Sequence, residues 1–307
     1  MSAAAAGLLL ALAPASAGPI TPPAGPVAPT HKTLTQIEPR IPLSPETVPG
    51  SGVAHYLITQ PGSYYLTGDV APADSRFGIY IDAPDVTIDL NGFTMRGNVN
   101  SPSAISLSGN ARNVVVRNGT ITGWNTGIAG ALSQNACFER LIIENIRTIG
   151  ISAGSFSTVT DCIVRSCQSD GILIGGPGTV TRCLVSGCSS GIVVTGAGMV
   201  TDSSVQNNVV HGISVGQHSL VRGNHCVANG NNNPNGAGIH TAAQFCRIEG
   251  NSVVQNGRGI SVTGTRNVII SDSAAFNATN FNIGPTNTVG PITSDLASAS
   301  AWANIQH

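Results

Sequence analysis

Four side chains that could take part in acid–base chemistry occupy related positions around recurring Gly-Ile pairs. Asp170, His211 and Arg258 each directly precede such a pair, and His240 directly follows another. A carboxylate or an imidazole can accept a proton, and a guanidinium can neutralise the carboxylate of a substrate. These four residues are therefore the candidate catalytic set.

This set would suit the β-elimination of a uronate, which needs a base for the proton beside the carboxyl group and a partner for the carboxylate itself. Arg258, His211 and His240 could divide these roles, because Lys32 is the only lysine and lies far from them in the sequence. Arg222, at an outward position one coil away, could join a site for a sugar carboxylate.

An asparagine-rich insertion lies between His211 and Arg258. Insertions in repeat proteins often mark the binding face, so the insertion provides three candidate substrate-binding residues, Asn232, Asn233 and Asn235. A simpler interpretation also stands, in which positions beside turns accept any polar residue and such insertions are merely tolerated. His218 and His225 of the same region are interpreted as ladder or surface residues.

The elements that would position these residues follow from a repeat. Gly-Ile pairs begin at eight positions, Ala104-Ile105 fills the one gap, and successive pairs are 20 to 26 residues apart. The glycines of these pairs are residues 78, 127, 150, 171, 191, 212, 238 and 259. Such a period indicates a stacked solenoid.

The content of each repeat predicts strands. One strand begins at each Gly-Ile pair and a second about nine residues later, with Val159 and Val164 directed toward the axis by period-two alternation. Helical periodicity is missing throughout. We therefore predict an all-β, single-domain, right-handed parallel β-helix of about ten coils, with 20–26 residues per coil and a cap at each end.

Small and polar residues recur at two turn positions and predict stacked ladders inside the solenoid. The first ladder would contain Cys162, Cys183, Ser203, Asn224, Asn251 and Ser273. The second would contain Cys167, Cys188, Asn208, Asn229 and Asn256. Asparagine suits such positions because its side chain bonds to the neighbouring coil.

The seven cysteines do not predict a metal site. Five residues of strand extend about 16 Å, too far for the thiols of one coil to share a zinc ion. Neighbouring coils would bring Cys162 near Cys183 and Cys167 near Cys188, which leaves disulfides open, and the odd count leaves at least one thiol free or paired outside the chain.

Asp161, Arg182 and Asp202 would share one outward column as a ladder of alternating charge. The central arginine argues against a calcium site there, since it prevents negative charge from concentrating. No cofactor is evident, and calcium has no supporting motif.

The remainder of the chain suggests an order of segments. Residues 1–17 resemble a signal peptide that ends at Ala15-Ser16-Ala17, residues 18–50 a proline-rich linker, residues 51–290 the β-helix and residues 291–307 a capping tail. A net charge of −1 with scattered arginines does not suggest a nucleic-acid partner. We expect no transmembrane segment in the mature chain and a secreted, extracellular or cell-envelope location.

Three segments carry a resemblance to a known group. The stretch from Thr59 to Leu66, the Asp89-Leu90-Asn91-Gly92-Phe93 turn and the tail from Pro291 to Ile305 together resemble secreted bacterial right-handed β-helix repeat proteins of the pectate-lyase-like superfamily. The resemblance implies a protein directed at polysaccharide. The Asn-Thr-Asp and Asp-Asp motifs of its hydrolases and the Asp-Pro-His-Glu signature of its epimerases are absent, as is an acidic cluster like that with which its lyases bind calcium.

Two hypotheses for function follow. In the first, the protein binds or processes a polysaccharide or cell-surface glycan, with β-elimination of an acidic glycan as the reaction. In the second, the solenoid is a non-catalytic structural or adhesion element of the cell envelope or extracellular space. Changing His211 or Arg258 separates them, because only the first assigns these residues a role.

Overall fold

The computed structural model describes residues 38–71 and 75–307. The folded unit Arg40–His307 is built of strands, and no helix long and apolar enough to cross a membrane occurs in the described ranges. Its first sixteen strands are β1 (Ile41–Leu43), β2 (Ala54–Ile58), β3 (Gly62–Leu66), β4 (Phe77–Ile81), β5 (Val86–Asp89), β6 (Thr94–Arg96), β7 (Ser103–Leu107), β8 (Val115–Thr122), β9 (Thr126–Gly130), β10 (Cys137–Ile146), β11 (Ile151–Ala153), β12 (Ser157–Thr160), β13 (Ile163–Cys167), β14 (Ile172–Ile174), β15 (Gly178–Thr181) and β16 (Leu184–Ser186). The others are β17 (Ile192–Val194), β18 (Gly198–Thr201), β19 (Ser204–Gln206), β20 (His211–Val215), β21 (Leu220–Arg222), β22 (His225–Val227), β23 (Ala237–Thr241), β24 (Arg247–Glu249), β25 (Ser252–Val254), β26 (Arg258–Val262), β27 (Val268–Ile270), β28 (Ser273–Ala275), β29 (Thr279–Ile283), β30 (Thr288–Val289), β31 (Ile292–Thr293) and β32 (Asn304–Gln306).

The strands stack coil on coil into a right-handed parallel β-helix, which confirms the predicted fold class. Each coil gives one strand to a smaller sheet of 11 parallel strands in the order β2-β4-β7-β9-β11-β14-β17-β20-β23-β26-β29. The described residues thus contain eleven such coils, against about ten predicted. The other strands belong to a larger sheet of 21. Its central part consists of a second stack (β12, β15, β18, β21, β24, β27) and a third stack (β13, β16, β19, β22, β25, β28).

Most central coils have three strands, where the sequence predicts two. Val159 and Val164 both point into the core, as predicted, and both are fully buried. Between them Asp161 has a φ of 55°, in the left-handed region, so the chain turns there and divides the predicted second strand into two. The same turn recurs at Arg182 and Asp202.

The glycine of the repeat is required by a close approach of neighbouring coils. A Cβ on Gly212 would lie 2.5 Å from the carbonyl oxygen of Gly238 in the next coil, and one on Gly191 would lie 2.6 Å from that of Gly212. Any side chain at these positions would therefore force the coils apart. The isoleucine that follows each glycine is buried in the core.

Both predicted ladders form, with one correction. In the first, Asn224 donates its backbone N–H to Asn251 Oδ1 at 2.9 Å, and Asn251 donates in turn to Asp272 Oδ1 at 2.8 Å. The rung after Asn251 is therefore Asp272, not Ser273 as predicted. Ser252 pairs with Ser273, so the prediction was wrong by one residue and assigned the outward neighbour to the buried position.

The cysteines and the charged column are structural in these coils. All seven cysteines are free thiols, and those at the ladder positions are buried. Arg182 Nε lies 2.7 Å from Asp161 Oδ1, with the two side chains 57% and 38% exposed. Such an exposed pair contributes little to stability, as expected of a surface charge ladder.

The ends of the chain bear on the predicted segments. The predicted signal peptide over residues 1–17 lies outside the described residues, as does most of the predicted linker over 18–50. The last part of that linker is folded, because β1 forms a parallel pair with β3 and Leu43 is buried. In the predicted tail over 291–307, β32 pairs with β28 and β31, and Asn304 is fully buried.

Candidate functional site

Three neighbouring strands of the smaller sheet carry the main candidate residues. The register pairs His211 of β20 with Ala237 of β23 and Ala237 with Arg258 of β26. His240 of β23 lies between Ser214 and Ser261 in the adjacent column. The structure therefore gathers His211, His240 and Arg258 on one outer face, in the register that the Gly-Ile spacing predicts.

The two histidines form a direct pair. Their ring centroids are 4.4 Å apart and their planes differ by 9°, so the imidazoles are stacked. The small side chain of Ala237 separates His211 from Arg258 along the column. In each ring the Nδ1 atom is buried and has no hydrogen-bond partner among the described residues. These two nitrogens are therefore shielded from solvent, and a ligand could reach them only after the rings rotate.

The surroundings of the pair keep both imidazoles uncharged at neutral pH. Burial lowers the pKa of His211 to about 4, with His240 and Arg258 contributing in the same direction. Burial also lowers the pKa of His240, as does Arg258, while a backbone contact with Ser261 opposes the shift. A neutral imidazole has one nitrogen that can accept a proton or a hydrogen bond.

Asp170 belongs to the same face but not to the same cluster. It directly precedes β14, in the column that continues through Ser190 to His211. Two coil steps separate it from His211, or about 10 Å along the axis. Burial raises the pKa of its carboxyl group, and a hydrogen bond with the Ser190 side chain opposes that shift.

Arg222 is not brought to this cluster. It is the last residue of β21, in the second stack, where it pairs with Thr201 and Glu249. Its side chain is exposed on a different face of the solenoid from that of the histidines. The structure does not bring Arg222 to the histidines, because the turn between β20 and β21 carries the chain from the smaller sheet to the second stack.

Only the two ends of the asparagine-rich loop lie beside the histidine cluster. Ala237 donates its N–H to the carbonyl of Val210, and Arg258 donates to that of Gly236, so the loop ends beside the His211 column. Asn233 Oδ1 accepts the backbone N–H of Asn235 at 3.0 Å, which stabilises the loop itself. Asn232 lines a separate cavity of about 260 Å³ together with Asn207 and Val209.

A shallow groove runs beside His240 on the same face. Its volume is about 370 Å³, and its lining includes Val193, Ser214, Gly216 and Ala242. Beyond His240, Asn282 Nδ2 donates to Ser261 Oγ at 3.1 Å. Ser190 and Asn282 are polar members of the face to which the sequence assigned no role, and coil-by-coil alignment with Asp170 and His240 could have identified them.

The donor groups of this face do not form a metal centre. Within residues 38–71 and 75–307, no three His, Cys, Asp or Glu side chains gather into a group that could hold a metal ion. The lone pair of an imidazole nitrogen lies in the ring plane, so two stacked parallel rings cannot direct both lone pairs to one ion. The pair is better suited to contact an organic ligand.

Comparisons with known proteins agree with the fold. Residues 73–210 match the model of a family described as "right handed beta helix region". The A-module of the Azotobacter vinelandii mannuronan C-5 epimerase AlgE4 superposes with a TM-score of 0.58 and 12% identity, covering 78% of this chain and 87% of that one. The Dettilon tailspike protein (gp208) gives a TM-score of 0.49 and 14% identity, covering 82% and 61%. No curated protein matches the sequence. The chain is a right-handed parallel β-helix protein.

Proposed function

We propose that this protein binds an acidic polysaccharide on the outer face of the smaller sheet and removes a proton beside a uronate carboxylate there. The observation that carries the proposal is the stacked, uncharged pair of His211 and His240, which shares its face with Arg258. Arg258 supplies the positive charge for the carboxylate, and the imidazoles supply the base. The protein acts outside the cytoplasm, as a secreted or cell-envelope protein.

The shape of the face supports a polymeric ligand. The smaller sheet has 11 parallel strands, and at about 4.8 Å per strand the face extends about 48 Å along the axis. A linear polysaccharide can lie along such a face and contact several coils at once. The similarity in fold to a mannuronan C-5 epimerase supports the choice of a uronate polymer, since mannuronan is one.

In the proposed reaction, the guanidinium of Arg258 pairs with the uronate carboxylate and stabilises the charge that develops as the adjacent C–H bond breaks. The proton passes to an imidazole nitrogen of His211 or His240. The electron pair of the C–H bond forms the new carbon–carbon double bond, and the bond from the next carbon to the glycosidic oxygen breaks. That oxygen leaves with the bonding pair and takes up a proton from water. Asp170 contacts a sugar further along the chain.

One observation favours glycan binding without catalysis. Because the pKa of His211 is about 4 in the free protein, its imidazole is a weak base before a substrate binds. A protein that holds a glycan without converting it would use the same face, with Arg258 paired to the carboxylate of the sugar. The two functions share a binding site and differ only in turnover.

The test incubates the protein with pectate, alginate or a glycosaminoglycan, with and without calcium. The ultraviolet absorbance of the unsaturated uronate product is followed over time. We expect the absorbance to rise with one of these polymers, and we expect no rise in the His211→Ala and Arg258→Ala variants. Arg222→Ala and His225→Ala are matched controls, because both residues are exposed on other faces, and should behave as wild type. Binding without absorbance change identifies the non-catalytic form, and failure to bind any of the polymers contradicts the proposal.

A further inference from the structure

A row of exposed rings occupies a different part of the molecule, the corner where each coil enters the second stack. The corner position directly precedes a buried rung of small or polar residues. In successive coils it holds Phe156, Pro177, Ala197, His218, Phe245 and Arg266. We call this row the aromatic corner. It lies on the outside of the solenoid, at the opposite end of the smaller-sheet strands from Asp170, His211 and Arg258.

The aromatic residues of this corner are held in an unfavourable backbone conformation. Phe156, His218 and Phe245 have φ values of 61°, 59° and 60°, a region that bulky side chains rarely adopt. Phe156 is 63% exposed and Phe245 is 48% exposed, so neither gains much from burial. Asparagine or glycine would fit the turn better. Neither burial nor turn geometry favours phenylalanine here. The same φ and exposure occur at Phe276, so it is the neighbouring groove that distinguishes this corner.

Three of the side chains form an ordered stack. The rings of His218 and Phe245 are parallel within 8°, with centroids 5.3 Å apart, and Arg266 Cζ lies 5.6 Å from the centre of the Phe245 ring. The stack follows the solenoid axis, one coil per layer. Because Phe245 covers one face of His218, the other face of that imidazole is directed toward the coils of Ala197 and Pro177.

A gap interrupts the row between His218 and Phe156. Three coil steps separate these residues, or about 14 Å, and the two corner positions between them hold the ring-free side chain of Ala197 and the compact Pro177. The resulting groove has a volume of about 450 Å³. Its floor includes the hydroxyl-bearing Thr158 and Thr179 beside apolar atoms, and its lining contains no carboxylate and no lysine or arginine.

We infer that this gap is a second carbohydrate-binding site, in which pyranose rings of a polysaccharide stack against His218 and Phe156 and bond to the threonine hydroxyls. The C–H groups on one face of a pyranose carry partial positive charge and are attracted to the negative face of an aromatic ring. The groove combines ring faces with hydroxyls, which matches the alternation of apolar faces and hydroxyl groups on a sugar. Its lack of carboxylates and of lysine or arginine distinguishes it from the Arg258 face, so the ligand is recognised through neutral parts of the sugar.

The test replaces the exposed rings with a residue that suits the turn. Phe156→Asn and Phe245→Asn should fold as well as wild type, because asparagine tolerates positive φ. Phe276→Asn is the matched control, since Phe276 is 76% exposed and has a φ of 55° but lies away from the groove. Affinity for a panel of neutral and acidic soluble polysaccharides is measured by affinity electrophoresis, in wild type and in the His211→Ala background.

We expect Phe156→Asn to weaken binding of one polysaccharide about tenfold, the upper end of what a single aromatic contact contributes, and Phe245→Asn to weaken it less. Phe276→Asn should bind as wild type. The same losses should appear in the His211→Ala background, so that failure of the smaller-sheet site and failure of this one are distinguishable. The inference would be overturned if Phe156→Asn and Phe245→Asn bound every polysaccharide as tightly as wild type. It would also be overturned if neither substitution weakened binding in the His211→Ala background.

Discussion

The coils before residue 150 and those after residue 200 place different side chains at the same two corners of the solenoid. The early coils use apolar residues, such as Leu141 and Ile146, both 1% exposed. Cysteines follow in the middle coils, and the later coils use asparagines. Asn229 takes the place of Ile146 and donates both its backbone N–H and its Nδ2 to Asn256 Oδ1, at 2.9 and 3.0 Å.

The difference shows two ways to hold coils together. An apolar corner is stabilised by burial, which depends on area and tolerates small shifts between coils. An amide corner uses directional bonds, so each asparagine fixes the height and register of the next. The coil with the Asn231–Asn235 insertion lies in the amide region, and its ladder continues unbroken from Asn229 to Asn256. Directional bonding there holds the strands that carry His211, His240 and Arg258 in register across the insertion.

The largest effect should come from the one ladder position where a carboxyl group replaces an amide. Asp272 is 1% exposed, and its Oδ2 has no partner among the described residues. Burial raises its pKa from 3.8 to about 7, with Glu249 contributing and bonds from Asn251 opposing. The folded state therefore holds the proton more tightly than the unfolded state. The contribution of Asp272 to stability is therefore greatest below pH 4, falls as the pH rises to 7 and is level above that.

The substitution Asp272→Asn restores the amide and should abolish this dependence. The variant should match wild type near pH 4 and exceed its free energy of unfolding at pH 8 by about 4 kcal/mol, since each pKa unit corresponds to about 1.4 kcal/mol. Urea unfolding at several pH values measures it. Equal stability of the two proteins at pH 8 would show that the Asp272 carboxylate does not destabilise the ladder relative to an amide.

A smaller loss is expected when a ladder amide is removed. Asn229→Ala leaves the backbone N–H and Nδ2 of Asn208 without their acceptor and frees the carbonyl of Val205. The free energy of unfolding should fall by about 3 kcal/mol, because several buried polar groups lose their partners together. Hydrogen exchange should show the loss in the coils beside residue 229. A decrease below about 1 kcal/mol would mean that packing, rather than the amides, holds these coils.

The smallest effect should come at the boundary between the two kinds of corner. Cys188 already donates its backbone N–H to Asn208 Oδ1 at 2.9 Å, so Cys188→Asn adds a rung to an existing ladder. We expect this substitution to change the free energy of unfolding by less than about 1 kcal/mol, as measured by thermal unfolding. Ile146→Asn is the contrasting variant and should destabilise by about 3 kcal/mol, because it buries an amide where no ladder continues. Similar losses in both variants would remove the distinction between the corners.

Sequence periodicity predicts most of this architecture, because neighbouring coils approach closely at each Gly-Ile pair. For the same reason it predicts the register of His211, His240 and Arg258. It fails where the signal depends on local turns. Arg222 lies in a different stack from the histidines, and Asp272 was missed by one residue, since a one-residue shift in a polar turn does not change the hydrophobic pattern.

The rest of the site depends on contacts that spacing does not reveal. Stacking of His211 on His240 results from their side-chain directions across two columns, and the aromatic corner combines residues that are far apart in the sequence. The extra residues of the insertion indicate a loop near His211, and the ends of the loop lie there. Its internal bonding through Asn233 could not be anticipated, because it is set by the turn within the loop.

The most direct test of the proposed site is an NMR titration of the His211 and His240 imidazoles with and without a uronate oligosaccharide. In the free protein we expect the pKa of His211 at about 4, with both rings neutral at pH 7. A bound uronate should raise both pKa values, because its carboxylate stabilises an imidazolium, and Arg258→Ala should weaken the binding. Imidazole pKa values that do not respond to any uronate oligosaccharide would contradict the assignment of this face as the site.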